Sequence, residues 1–252
     1  MLNRIHPALT ALALLIPTVC LPLQTTRAEQ QERFDPVRAY GGEIIFDIYR
    51  KDRLIGAHTV TFEEDGTNLR VRSKSDINIR ILGLPLYNFS YSSLEVWQHG
   101  QLFSIEAETD DDGDKSMMRA QRHNGMLAVF SATSQSLAPG GIYPTTHWDA
   151  GVVNSTQILN TITGQINTIT VQDLGIETVE TGSGNRLARH FAYRGDLETD
   201  LWYDIKGHWV KMRFPGNDGV AIEYRCRKCG SVQHPGKSDA NAGFAQPQDA
   251  PS

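Results

Sequence analysis

The chain predicts an all-β fold: an antiparallel meander curled into a barrel or half-barrel of about a dozen strands, with one helix near residues 147–161. Three observations predict it. Apolar and polar residues alternate with period two along most of the chain; turn residues punctuate that alternation about every 8 to 14 positions; a single window departs from it with a helical period.

The first element is a leader. Arg4 and His6 form a polar head, and Ala8 to Leu23 is apolar apart from Thr10, Pro17, Thr18, Cys20 and Pro22. That core is too short and too broken to span a bilayer. Thr26-Arg27-Ala28 puts small residues where a signal peptidase reads, so residues 1–28 are expected to be a signal peptide cut after Ala28, delivering the protein to the periplasm. The rival reading, a lipoprotein anchored through Cys20, is disfavoured by the bulky Val19 before the cysteine. Cleavage leaves 22 Lys+Arg against 29 Asp+Glu, a net charge of −7. This argues against nucleic acid as a partner and suits an ordinary solubilising surface. No later stretch reaches the length of a transmembrane segment.

Residues 29–39 read as an N-terminal linker and 40–229 as one β domain. Its clearest strand is Leu69 to Ile81. There Leu69, Val71, Ile77, Ile79 and Ile81 share one face, interrupted by Ser73 and Ser75, while Arg70, Arg72, Lys74, Asp76, Asn78 and Arg80 share the other. The period recurs at Leu54-His58-Val60-Phe62, Leu197-Leu201-Tyr203-Ile205, Val210-Met212-Phe214 and Val220-Ile222-Tyr224, flanked by turns such as Asp65-Gly66, Asn124-Gly125 and Asp218-Gly219. From Tyr87 to Trp97 the apolar parity slips, from Tyr87-Phe89-Tyr91 to Leu94-Val96, which predicts a bulge near Ser92-Ser93 that would help the sheet curl.

In the departing window, Thr145 or Thr146 would cap a helix whose stripe is Trp148, Val152, Ser155, Leu159 and Ile162. Such a helix would plug the core or serve as a lid over a cavity. Residues 230–252, rich in Gly, Ala, Pro, Gln, Asp and Ser, read as a disordered tail.

Candidate site residues are few. Phe46, Phe62, Tyr87, Phe89, Tyr91, Phe191 and Tyr193, with Trp148 from the helix, would line a hollow or pack a solid core. His58 shares its face with Val60 and Phe62 and is expected to point inward, with no carboxylate or nucleophile at a spacing that completes a catalytic set. His147 and Asp149 flank Trp148, where the carboxylate would stabilise the helix start. Asp110, Asp111, Asp112 and Asp114 would offer oxygens to a cation, yet the run fails the EF-hand spacing and reads more simply as an acidic hairpin turn. Cys226 and Cys229 are most simply a small-loop disulfide in an oxidising compartment; free or intermolecular thiols, a zinc site with His234, or redox work are the alternatives. No hydrolase elbow, zinc-protease, phosphate-loop or haem motif is present, and no cofactor is expected.

Two function classes follow. One is a non-enzymatic binder of an apolar or amphipathic, lipid-like ligand held by the curved sheet. The other is a structural or interaction module of the cell envelope, for which Trp97, Trp202 and Trp209 would supply outward aromatic contacts to an envelope protein. A hydrolase with an atypical site is a third reading and needs buried titratable groups close together.

Ile55-Gly56, His58, Phe62, the run Thr109 to Asp114, Leu159 to Gly164, Gly195-Asp196-Leu197, Leu201 to Asp204 and Trp209 to Pro215 carry a resemblance. From about Tyr40 to Tyr224 the chain resembles an uncharacterised family of exported proteobacterial β proteins, a domain of unknown function. In architecture it is also distantly similar to curved-sheet proteins that carry lipids or lipoproteins across the periplasm. The resemblance implies an exported β domain and supplies no chemistry.

Overall fold

The computed structural model describes residues 34–81 and 84–230. The expected leader with Cys20, the first part of the linker, and the tail from residue 231 onward lie outside the described residues. Residues 36–39, read from sequence as the end of the linker, belong to a short helix, α1 (Pro36–Tyr40). Asp35 caps its first turn through Arg38 N–H, and Gly41, at φ 67°, closes it with the left-handed conformation that suits glycine.

Fifteen strands then form one sheet. The first eight are β1 (Glu43–Arg50), β2 (Arg53–Asp65), β3 (Asn68–Ile81), β4 (Leu84–Gln98), β5 (Gln101–Asp111), β6 (Asp114–His123), β7 (Met126–Ser131) and β8 (Gln135–Pro139). The rest are β9 (Tyr143–Pro144), β10 (Gln157–Leu159), β11 (Ile166–Thr181), β12 (Gly184–Gly195), β13 (Thr199–Asp204), β14 (Trp209–Pro215) and β15 (Ala221–Cys229). The spatial order is β8-β7-β6-β5-β4-β3-β2-β1-β15-β14-β13-β12-β11-β10-β9. Each arm is a meander, the first and last strands pair in the middle, and every pairing is antiparallel except β9 with β10. The sheet is not closed, and β8 and β9 are its edges. The strand count exceeds a dozen because the short segments β8, β9 and β10 carry too few residues to show a period.

The turn chemistry explains the hairpins. Asp112-Gly113 and Asn124-Gly125 both take positive φ at two successive residues, the geometry of two-residue loops whose twist matches that of the flanking strands. Register shifts at Ile45/Phe46, Ile48/Tyr49, Trp202/Tyr203 and Asp173/Gly175 bend the sheet.

Two expectations are corrected. No bulge occurs at Ser92-Ser93, where the β3–β4 register runs unbroken from Lys74↔Ser92 to Ser73↔Ser93. The inward residues there are Ser93, Glu95 and Trp97, and the half-buried apolar Leu94 and Val96 lie on the outer face. Apolarity misled because the interior is polar at that level. The helix expected over 147–161 is also absent. His147 sits at φ 59°, outside the right-handed helical region; a single 3₁₀ turn follows at Ala150–Asn154 with Asp149 as its cap; Ser155 is extended, and β10 begins at Gln157. The apolar stripe is real in that Trp148, Val152 and Leu159 are buried, but they are carried by an irregular segment rather than a lid.

That segment packs the end of the sheet nearest α1. Tyr40 stacks on Phe62 at 5.3 Å, Phe62 meets Trp148 at 5.5 Å, Trp148 meets Trp97 at 5.1 Å, and Phe46 meets Trp209 at 4.3 Å. Each such aromatic removes ~150–250 Å² from water, a gross gain on the order of 4–6 kcal/mol before entropy is counted. Tyr40 Oη joins three elements, donating to Trp148 C=O at 2.8 Å and accepting Trp209 N–H at 2.9 Å. At the same end Arg186 donates to Asp204 at 3.2 Å and to Cys229 C=O at 2.8 Å, and Gly182 N–H donates to Cys226 C=O at 2.7 Å.

Candidate functional site

Strand alternation sends a row of unlike residues inward across five neighbouring strands: Phe46 on β1, His58 on β2, Ser75 on β3, Tyr91 on β4 and Thr109 on β5 are successive cross-strand partners. The row nearer α1 runs Ile44, Val60, Ser73, Ser93 and Ala107. From the other arm come Tyr193 on β12 and Tyr224 on β15, and His147 enters from the irregular segment. The result is a belt of hydroxyls and imidazoles around Trp209. The His58 ring lies 5.7 Å and the His147 ring 6.0 Å from Trp209; His58 lies 5.5 Å from Tyr224, and His147 5.9 Å from Tyr193.

The belt is only partly satisfied from within. His58 Nδ1 and Ser75 Oγ are 2.6 Å apart, and Tyr91 Oη donates to Thr161 Oγ1 at 2.8 Å. His58 Nε2, His147 Nδ1, Tyr193 Oη and Ser73 Oγ have no hydrogen-bond partner among the described residues, although each is buried. Leaving such a group dry costs about 1–3 kcal/mol. His147 adds a left-handed backbone, held because Tyr203 Oη donates to its carbonyl at 2.8 Å while Tyr40 grips the next one.

Burial also fixes the charge state. It lowers His58 to about 4, and it lowers His147 to about 3, helped by the neighbouring His58. Burial pushes Tyr91 and Tyr224 up to about 12 and raises Tyr193 as well. Every one of these groups is neutral at pH 7. The chemistry open to them is hydrogen bonding with no countercharge of their own.

At the opposite end of the sheet from α1 the inner face turns apolar and half-buried. Ile77 pairs with Phe89 and Ile79 with Tyr87; on the second arm the half-buried Val171 pairs with Tyr193, Phe191 lies 6.2 Å from Tyr203, and Phe214 pairs with Ile222 and lies 5.9 Å from Tyr224. Tyr87 is raised by burial and by a hydrogen bond to the Asp111 carboxylate. Arg50, which pairs with Ile222 at this rim, is engaged by Asp218.

The residues expected to line a hollow therefore divide. Phe62 and Trp148 pack the α1 end; Phe46, His58, Tyr91 and Tyr193 sit in or against the belt; Phe89 and Tyr87 stand at the rim, and Phe191 lies against Tyr203. Against Trp97, Tyr143, Thr146 and Trp148 lies a crevice too narrow for a water molecule, so the segment 147–161 covers no cavity at that point. Sequence reasoning missed Ser73, Ser93, His147, Tyr193 and Tyr224 as one group. The signal was the pair Ser73 and Ser75 on an otherwise apolar strand face. Glu95 was missed too. Fully buried, it accepts Trp97 Nε1–H at 2.6 Å and Trp148 Nε1–H at 3.2 Å, and desolvation raises it to about 7 against those hydrogen bonds.

The three tryptophans expected outward are buried. Trp97 and Trp209 point into the core, and Trp202, on the outer face, is covered by His190 stacked at 4.0 Å and by Lys211 at 4.8 Å. Asp110 accepts Gly113 N–H at 2.8 Å, so the acidic run forms the β5–β6 turn; among the described residues no three metal-ligating side chains converge at Asp110, Asp112 and Asp114 or elsewhere. Cys226 and Cys229 are joined as a disulfide, with Cα atoms 5.9 Å apart.

Comparison with known proteins agrees with the architecture. A search of curated proteins finds no match. Among solved structures, the chain is similar to a β-barrel-like protein of a domain of unknown function (DUF1849) from Brucella abortus, with a TM-score of 0.54 and 12% identity, over 76% of this chain and 98% of that one. At that identity the likeness concerns the fold alone. Residues 46–227, spanning β1 to β15, match the family described as Domain of unknown function (DUF6134), and the chain belongs to that family.

Proposed function

We propose that this is an exported, periplasmic, non-enzymatic binder of an apolar or amphipathic, lipid-like molecule, held inside the curve of the sheet at the end away from α1. The observation that carries the reading is a belt of buried, unpartnered hydrogen-bonding atoms, His58 Nε2, His147 Nδ1, Tyr193 Oη and Ser73 Oγ, on the same inner face as the half-buried apolar Ile77, Ile79, Phe89 and Phe214. A polar floor under an apolar wall is the usual make-up of small-molecule sites. The α1 end, packed with Tyr40, Phe62, Trp97 and Trp148, acts as a base that holds the belt in place.

A second reading, a surface for another envelope protein, no longer rests on tryptophans. It rests on Leu174, Ile176 and Leu187 of the β11–β12 hairpin, each more than half exposed. Native mass spectrometry of the mature protein from the periplasm of its host, before and after solvent extraction, separates the two. Co-purified lipid-sized mass released by extraction supports the binder; a bare polypeptide mass in repeated preparations, or failure to reach the periplasm, overturns it.

A further inference from the structure

We infer that the ligand of the inner site carries an uncharged oxygen-bearing head, such as a hydroxyl or carbonyl, and enters head first, with its hydrocarbon chain against the rim; this rests on the binder reading above. The order of surfaces fixes the orientation. The unpartnered donors and acceptors are buried, and the inward residues nearer solvent, Ile77, Phe89 and Phe214, are aliphatic and aromatic, so an inverted ligand would leave its head against Phe89 and Phe214 and the belt unpaired. The absence of charge at the belt fixes the head class. Its residues are His, Ser, Thr and Tyr, and Arg50, which pairs with Ile222 at the rim, is engaged by Asp218. The buried carboxyl Glu95 is turned to Trp97 and Trp148 nearer α1, and at the rim the exposed Asp111 is engaged by Tyr87. Bringing a carboxylate, phosphate or ammonium to the belt would strip its water and return no countercharge, a penalty that neutral hydrogen bonds do not offset. A hydroxyl both donates and accepts, which suits Tyr193 Oη beside imidazole nitrogens of either tautomer.

The test uses the full mature protein at pH 8 and three probes of equal chain length: hexadecanol, palmitate and hexadecylammonium, each competing against a fluorescent apolar dye. Hexadecanol is expected to compete at least 100-fold better than either ion. Tyr193→Phe, which keeps the ring, is expected to weaken hexadecanol by roughly 5- to 10-fold, the worth of one buried neutral hydrogen bond. A 2-bromo alcohol is expected to quench tryptophan fluorescence more strongly than its ω-bromo isomer, because Trp209 lies within the belt. Equal competition by palmitate, or stronger quenching by the ω-bromo isomer, overturns the head-first neutral ligand while the binder reading stands. Failure of the dye and all three probes to bind overturns both.

Discussion

Replacing Glu95 by Gln isolates the energetic role of one buried carboxyl. In the folded protein Glu95 has no exposed surface, and desolvation lifts it from 4.5 to about 7, the tryptophan and Thr146 hydrogen bonds opposing that rise. Its folded-state proton affinity exceeds that of the unfolded chain, so between pH 4.5 and 7 the folded state holds the extra proton and stability falls as pH rises. The shift, at about 1.4 kcal/mol per pKa unit, amounts to about 3 kcal/mol lost by pH 8. Gln preserves the acceptor, since both indole N–H groups donate to the same oxygen, Oε2, and it cannot ionise. Urea unfolding of wild type and Glu95→Gln, followed by far-ultraviolet circular dichroism at pH 4.5, 5.5, 6.5 and 8, gives the difference directly. Contributions from His58 and His147 cancel in that subtraction. The variant should match wild type at pH 4.5 and exceed it by about 3 kcal/mol at pH 8. A difference that does not change with pH, or a variant weaker at pH 8, would refute the desolvation argument.

His58 moves the opposite way: its folded form stays neutral down to about pH 4, so the stability it contributes is complete above 6.5 and falls as pH drops through that window. His58→Gln should flatten this acid limb by about 3 kcal/mol in the same titration. Tyr40→Phe strands Trp148 C=O and Trp209 N–H in the core and should cost roughly 2–4 kcal/mol by urea unfolding, with the sheet's circular dichroism retained. Gly56→Ala places a Cβ on the Asp76 carbonyl of the paired strand, so expect a loss of about 2–3 kcal/mol and faster hydrogen exchange along β2 and β3. Replacing Cys226 and Cys229 by Ser opens a loop of only a few residues and should lower stability by about 2 kcal/mol, a deficit that dithiothreitol reproduces in wild type and leaves unchanged in the variant.

Much of the fold is legible because a strand's alternation is a local property. Leu69 to Ile81 declares its faces from sequence alone, and Asp65-Gly66 and Asn124-Gly125 announce their turns, since positive φ is written into the residue type. Reading failed where burial and polarity part company. Ser93 and Glu95 point inward while Leu94 and Val96 point outward, so a correct strand looks like a bulged one. At 147–161 the apolar spacing fits a helix, yet the hydroxyls of Tyr40 and Tyr203, more than 50 residues away in either direction, hold two carbonyls of an extended and left-handed segment. Propensity loses to such tertiary hydrogen bonds.

The candidate site divides along the same line. His58 and Tyr91 were readable as inward residues, each from its own strand. That they share a belt with His147, Tyr193 and Tyr224 depends on β1 pairing with β15, which brings the two arms of the chain together. By itself the sequence determined an all-β chain, its antiparallel hairpins and most inward positions, because these follow from period two and from turn chemistry within about ten residues. Tertiary structure alone decided that the tryptophans are covered, that Glu95 is dry, and that unpartnered polar atoms of His58, Ser73, His147 and Tyr193 are buried together, because desolvation and hydrogen-bond satisfaction depend on which surfaces face each other once the sheet has curled.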